Sequence, residues 1–205
     1  MSLSTEERDI ADTPRLPIVV QLRPVVNLSD EQLFDLCQVN RDLRIERTEH
    51  GELIIMSPTG SETGDPNSEI NWQLRYWSKR DGTGKVFDSS AGFRLPNGAM
   101  RSPDAAWLRL PRWNALTAEQ RKRFAPLCPD FVVELRSPVD GLNTVLEKMH
   151  EYLVNGAEMG LLIDREQKWV HVYRRGREIE ILEDPKTVAC DPILPGFVLD
   201  LCQIW

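Results

Sequence analysis

The chain has 205 residues, 41% hydrophobic and 28% charged, a composition that fits one globular domain with a short extension and excludes a wholly disordered chain. Its 25 Lys and Arg against 32 Asp and Glu leave a net charge of −7, which argues against tight non-specific binding of nucleic acid through phosphate neutralisation. No apolar run reaches the ~18 residues of a membrane span, residues 1–20 lack the apolar stretch of a secretory signal, and Cys37, Cys128, Cys190 and Cys202 form no CxxC pair, so no membrane role, a cytoplasmic location, reduced thiols and no structural zinc are expected.

Residues 1–27, with Pro14, Pro17 and Pro24, read as an extended arm, and residues 28–205 as one domain. Ser29-Asp-Glu-Gln32 is a capping-box pattern that predicts a helix to about Val39, with Leu33, Leu36 and Cys37 inward. Leu43–Thr48 and Glu52–Met56 around Glu49-His50-Gly51 suit a hairpin. Asp65-Pro66 predicts a helix start, followed by a stripe of Ile70, Gln73, Leu74 and Trp77 to about Lys79.

The middle of the chain reads as β. Lys85–Phe87, Phe93–Leu95 and Asp104–Leu110 are strand candidates, with Pro96-Asn97-Gly98 as a turn. Gly82-Thr-Gly-Lys85 lacks the spacing of a phosphate loop and reads as a turn. Trp113–Phe124 is predicted helical; Arg112 to Arg123, with Arg121, Lys122 and Arg123, is a positive island that reads first as a solvated face. Phe131–Leu135 is a nearly continuous apolar run that suits a central strand buried on both faces. A helix from Leu142 to about Val154, stopped by Asn155-Gly156, and strands at Leu161–Ile163, Trp169–Tyr173 and Glu178–Leu182 complete an α/β (α+β) domain: a mixed central sheet flanked by helices, with additional hairpins.

Glu134 is the anomaly in the apolar strand, because an unpaired buried carboxylate is costly. Asp104, after Pro103, opens a second strand. Two acids at strand ends can hold a hard divalent cation; an ion pair of Glu134 with Arg136 or Arg101 is the alternative. On the following helix, Leu142, Val145, Leu146, Met149 and Leu153 share one face, and Lys148 falls on its flank beside Tyr152, from which it can lean over Glu134 or lie along apolar surface. Trp72, Trp77, Trp107, Trp113, Trp169 and Trp205 read as core or interface residues rather than base-stacking platforms, and His50 and His150 as surface residues. Trp169, His171 and Tyr173 on one strand face, with the apolar Ile193–Trp205 segment, suggest a homodimer contact.

Ser102-Pro-Asp104-Ala-Ala-Trp107, Pro129-Asp-Phe-Val-Val-Glu134-Leu-Arg-Ser-Pro138, and Glu147-Lys148-Met149 followed by Tyr152, Asn155-Gly156 and Leu162-Ile-Asp164 resemble the Uma-type restriction endonucleases. That family, formerly a domain of unknown function, lies within the PD-(D/E)xK nuclease superfamily. The resemblance starts near Ser29, takes in Gly51-Glu-Leu-Ile-Ile-Met-Ser-Pro58 and reaches Pro195-Gly-Phe197.

The resemblance implies a restriction-endonuclease-like core and a magnesium- or manganese-dependent hydrolase of phosphodiester bonds in nucleic acid, expected to be DNA. It assigns Asp104, Glu134 and the Leu135 carbonyl to the metal, with an added acid from the first core helix, Glu69 or, behind it, Glu62. Arg136 stands where the motif has its lysine; an arginine stays protonated and cannot act as a base. The catalytic lysine is then Lys148 on the following helix, and Arg136 either grips a phosphate or forms a salt bridge to Asp140 or Glu134. A nuclease-like fold that serves only in binding or assembly is the competing expectation, favoured by Arg136 and the acidic charge.

Overall fold

The computed structural model describes residues 17–56 and 61–205, without the side chains of 61–63. β1 (Ile18–Val20) lies inside the stretch expected as an arm and is followed by α1 (Asp30–Val39), β2 (Arg44–Arg47) and β3 (Leu53–Met56). Ser29 caps α1 as its sequence predicts: its hydroxyl accepts from the Gln32 N–H while the Gln32 side chain accepts from the Ser29 N–H. Leu33 is fully buried; Leu36 and Cys37 are half-buried and pack beside it.

α2 (Ser61–Asp81) begins a turn earlier than Asp65-Pro66 predicts, and Pro66 lies inside it. As the sixth residue of the helix, Pro66 has no N–H to offer the carbonyl of residue 62, so one helical hydrogen bond is missing there. Ile70 and Leu74 are buried and Trp77 packs against the same core. Then come β4 (Gly84–Asp88), β5 (Phe93–Arg94), β6 (Met100–Arg101) and β7 (Ala105–Arg109). The single helix expected over Trp113–Phe124 is two short ones, α3 (Leu110–Ala115) and α4 (Ala118–Lys122), because Thr117 opens a new capping box with Gln120. The positive island around them is largely paired: Arg112 with Asp130, Arg123 with Glu119, and Arg121 over the Trp113 ring.

β8 (Phe131–Arg136), α5 (Leu142–Asn155) and β9 (Met159–Asp164) form a βαβ unit, the crossover that parallel pairing of β8 with β9 demands. α5 ends at Gly156, whose φ of +123° is strained for any residue with a Cβ. β10 (Trp169–Arg174), β11 (Glu180–Glu183), β12 (Thr187–Ala189) and β13 (Val198–Asp200) follow. One sheet has the order β1-β3-β2-β6-β5, the central sheet β11-β10-β9-β8-β7-β4, and β12 pairs with β13.

Strand alternation sorts the core. Phe131, Val133 and Leu135 of β8 face α2 and the C-terminal segment, whereas Val132 faces α5 with Met149 and Tyr152. Leu194, Phe197, Leu199, Leu201 and Ile204 belong to the first of these layers, so the segment considered for a dimer contact fills the core of its own chain. Tyr173 and His171, considered for the same contact, are also buried. All four cysteines are free, and no described helix is long and apolar enough to cross a membrane.

Candidate active site

The β7–β8 ladder ends at Ala105 opposite Val133. Extending that antiparallel register by one step sets Asp104 opposite Glu134, where two like charges face each other and main-chain pairing stops. In place of a ladder bond, the Leu135 N–H donates to Asp104 Oδ2 at 2.9 Å. Asp104 Oδ1 accepts from Arg44 Nη1 at 2.9 Å, and Arg44 Nη2 donates to the Ser102 carbonyl. The Asn71 side chain donates to the Asp104 carbonyl, which ties the start of β7 to α2.

Glu134 is on the α5 side of the central sheet. Lys148 and Tyr152, one helical turn apart, both reach its Oε1: Lys148 Nζ lies 2.9 Å away and the Tyr152 hydroxyl donates at 2.9 Å. Lys148 Nζ also donates to Glu46 Oε1 at 3.0 Å. Glu46 enters from β2 on the other sheet, with Arg101 Nη1 3.3 Å from its Oε2 and the Ser102 N–H donating to its Oε1. One ammonium therefore bridges a carboxylate from each sheet.

Burial raises the Glu134 carboxyl, the charges of Asp104 and Glu46 add to that, and together they outweigh Lys148 and Arg44 to leave it at about 7. Burial would also raise Glu46, but Lys148, Arg44 and Arg101, with the Ser102 N–H, hold it at about 2. Burial would lower Lys148; Glu134 and Glu46 overcome this and keep its pKa above the ordinary lysine value. Burial and the Glu134 charge keep Tyr152 protonated.

These groups line a cleft of about 1240 Å³ between the sheets that takes in Glu46, Asp104, Glu134, Leu135 and Lys148. Asp104, Glu134 and the Leu135 carbonyl are hard oxygen donors, and repulsion between the two facing carboxylates is what a divalent cation relieves, so the donor set suits magnesium or manganese. Among the described residues no three His, Cys, Asp or Glu side chains converge as a cage. A two-carboxylate set matches an ion that keeps several waters.

The structure thus brings Asp104, Glu134, Leu135 and Lys148 together, and leaves two expected residues outside. Arg136 Nη1 lies 2.7 Å from Asp164 Oδ2, its register partner on β9, and Arg136 Nε donates to the Asp140 carbonyl; the partner expected as Asp140 or Glu134 is Asp164. Glu69 accepts from Gln73, whose side chain also donates to the Asp200 carbonyl, which places it away from the cleft. The Glu62 side chain, with Ser57 and Pro58 of the quoted motif, lies outside the described residues. The arginine considered for pairing with Glu134, Arg101, instead meets Glu46 and Glu151. Sequence reasoning missed Arg44 and Glu46. Their one signal is alternation, which sets both on one face of Arg-Ile-Glu-Arg in β2.

A mixed central sheet with a βαβ unit, and paired acids where two strands part, define the restriction-endonuclease-like class of nuclease folds. The chain belongs to the Uma2 family, described as putative restriction endonucleases, whose model matches residues 30–202. It is similar to a crystal structure of a putative nuclease belonging to DUF820 from Anabaena variabilis, at 21% identity and a TM-score of 0.67 over 78% of this chain and 88% of that one. No curated protein matches the chain.

Proposed function

We propose that the protein is a divalent-metal-dependent endonuclease that hydrolyses phosphodiester bonds in DNA. The observation that carries this reading is Asp104 facing Glu134 at the end of the β7–β8 ladder, with Lys148 on Glu134. Asp104, Glu134 and the Leu135 carbonyl would hold magnesium or manganese. Such an ion lowers the pKa of a bound water and offsets charge on the scissile phosphate.

The chain's own groups supply the rest. Lys148 stays protonated, so it serves as a fixed charge beside the reacting phosphate and not as a base. Tyr152 orients Glu134 by donating to Oε1, and Glu46 holds the Lys148 ammonium from the opposite side. Hydrolysis adds water oxygen to phosphorus, breaks the bond to the leaving ester oxygen, and leaves that oxygen protonated. Supercoiled plasmid incubated with purified protein and magnesium or manganese tests the reading: nicking by the wild type and none by Asp104→Asn/Glu134→Gln is expected, and equal nicking by both would overturn it.

A second reading, a nuclease-like fold that only binds or assembles, is favoured by Arg44 and the Leu135 N–H, which already engage both Asp104 oxygens. It requires that the wild type cut nothing under any divalent ion.

A further inference from the structure

The solvent side of α2 carries a ladder of planar groups that the cleft does not use. Trp72 and Tyr76 stack at 5.5 Å with 15° between their planes, and the Arg80 guanidinium lies over the Tyr76 ring at 5.4 Å. The three are spaced i, i+4, i+8 and so form one row along the helix. Trp72 is 60% and Tyr76 53% exposed, on the side opposite Ile70 and Leu74. Two large aromatics stacked in water and braced by a cation make a rigid apolar face that no element among the described residues covers. Arg75 and Lys79 flank it, and a concavity of about 680 Å³ beside it is lined by Trp72, Tyr76, Arg75, Lys79 and Asp88. Ser90 lines both this concavity and the cleft, and Asn71, which holds the Asp104 carbonyl, lines it too.

We propose that the Trp72–Tyr76 pair is a stacking platform for unpaired bases of a nucleic-acid strand that runs on into the cleft; the proposal rests on the nuclease reading. The occupant follows from charge and shape. The lining of the concavity sets two cations, Arg75 and Lys79, against one acid, Asp88, and Arg80 adds a charge over the Tyr76 ring, in a chain whose net charge is −7. Exposed aromatic planes interleaved with cations take up base faces and phosphates together, independently of base identity. A duplex hides its base faces, so the platform selects single-stranded or locally opened nucleic acid. It also places binding energy outside the acidic cleft, where phosphate neutralisation is weakest.

The test uses a fluorescein-labelled oligothymidylate of about 15 nucleotides, within the range of single-strand site sizes, titrated by anisotropy in EDTA so that metal-dependent cleavage does not proceed. Trp72→Ala/Tyr76→Ala should bind about 10-fold or more weakly than wild type, the scale of losing base stacking, with circular dichroism and melting unchanged. Trp72→Phe keeps a ring and should stay within about threefold of wild type. It should also remove most of the tryptophan quenching that the oligonucleotide produces in wild type, a readout that stands even if the double variant folds poorly. Equal affinity of wild type and double variant, no binding by wild type, or no loss of quenching in Trp72→Phe each overturns the platform. Unchanged oligonucleotide affinity with a wild-type dimer that becomes monomeric in the double variant would assign the face to a second copy of this chain. Plasmid cleavage by Asp104→Asn/Glu134→Gln is scored separately, so the nuclease reading can fail while the binding result stands, and the reverse.

Discussion

Lys148 Nζ lies 2.9 Å from Glu134 Oε1, and the same ammonium reaches Glu46 Oε1 at 3.0 Å. One ammonium on the helix thereby links a carboxylate of the central sheet to one of the N-terminal sheet, beside the Arg101–Glu151 pair. A helix-flank lysine would be free to change without harm to the fold; this one is wedged between two buried carboxylates. We expect Lys148→Met to abolish cleavage and also to destabilise the protein by about 3 kcal/mol or more, because it strands buried negative charge. Adding Glu46→Gln should restore much of the stability without restoring cleavage. Urea unfolding and plasmid nicking on wild type, Lys148→Met and the double variant would separate the two roles.

Divalent ion should raise the melting temperature of the wild type. At 100 times Kd, mass action contributes about 2.7 kcal/mol, a shift of several degrees for a domain of this size. EDTA should reverse it, and Asp104→Asn/Glu134→Gln should show none. A shift of equal size in that variant would place the ion elsewhere.

Glu46 has a pKa held at about 2 against an ordinary 4.5. A depressed carboxylate contributes stability above its unfolded pKa, and that contribution is lost as pH falls from about 4.5 towards 2. Glu46→Gln should therefore be less stable than wild type at neutral pH and should close the gap through that window. Parallel unfolding curves for the two proteins down to acid pH would contradict the assignment.

Gly84 on β4 lies against the ring of Trp107: a Cβ there would stand 2.2 Å from the indole Cε2. Trp107 is buried and cannot yield as a flexible chain end would. Gly84→Ala should cost about 1–3 kcal/mol, the range for overpacking, seen as a lower denaturant midpoint.

Burial pushes the thiols of Cys128 and Cys190 up to about 12, while Cys202 is exposed. Iodoacetamide at mildly alkaline pH should label Cys202 in the folded protein and reach Cys128 and Cys190 only after unfolding. Mass spectrometry of the labelled peptides reads this directly.

The sequence by itself determines what depends on near neighbours. Ser29 and Gln32 carry the α1 cap between them, Asn155-Gly156 ends α5, and the apolar run of Phe131–Leu135 marks a strand buried on both faces. The same run exposes Glu134 as misplaced unless paired, and helical phase puts Lys148 beside Tyr152 on the flank of α5. These are relations of period and composition, complete within a few turns of chain.

Only the tertiary structure decided what meets across sheets. Glu46 and Lys148 are 102 residues apart, and nothing in Arg-Ile-Glu-Arg announces that β2 will be laid against α5. Arg136 has the parity of Glu134, but its register partner is Asp164, and that carboxylate takes it first. Glu69 was the natural acid of the first long helix, yet it lies two residues, about 200° of helix, from Asn67, which lines the cleft, and from Asn71, which holds the Asp104 carbonyl. Trp72, expected as a core or interface residue, stands in water for the same reason: spacing fixes which residues share a face, and packing alone fixes which face is covered.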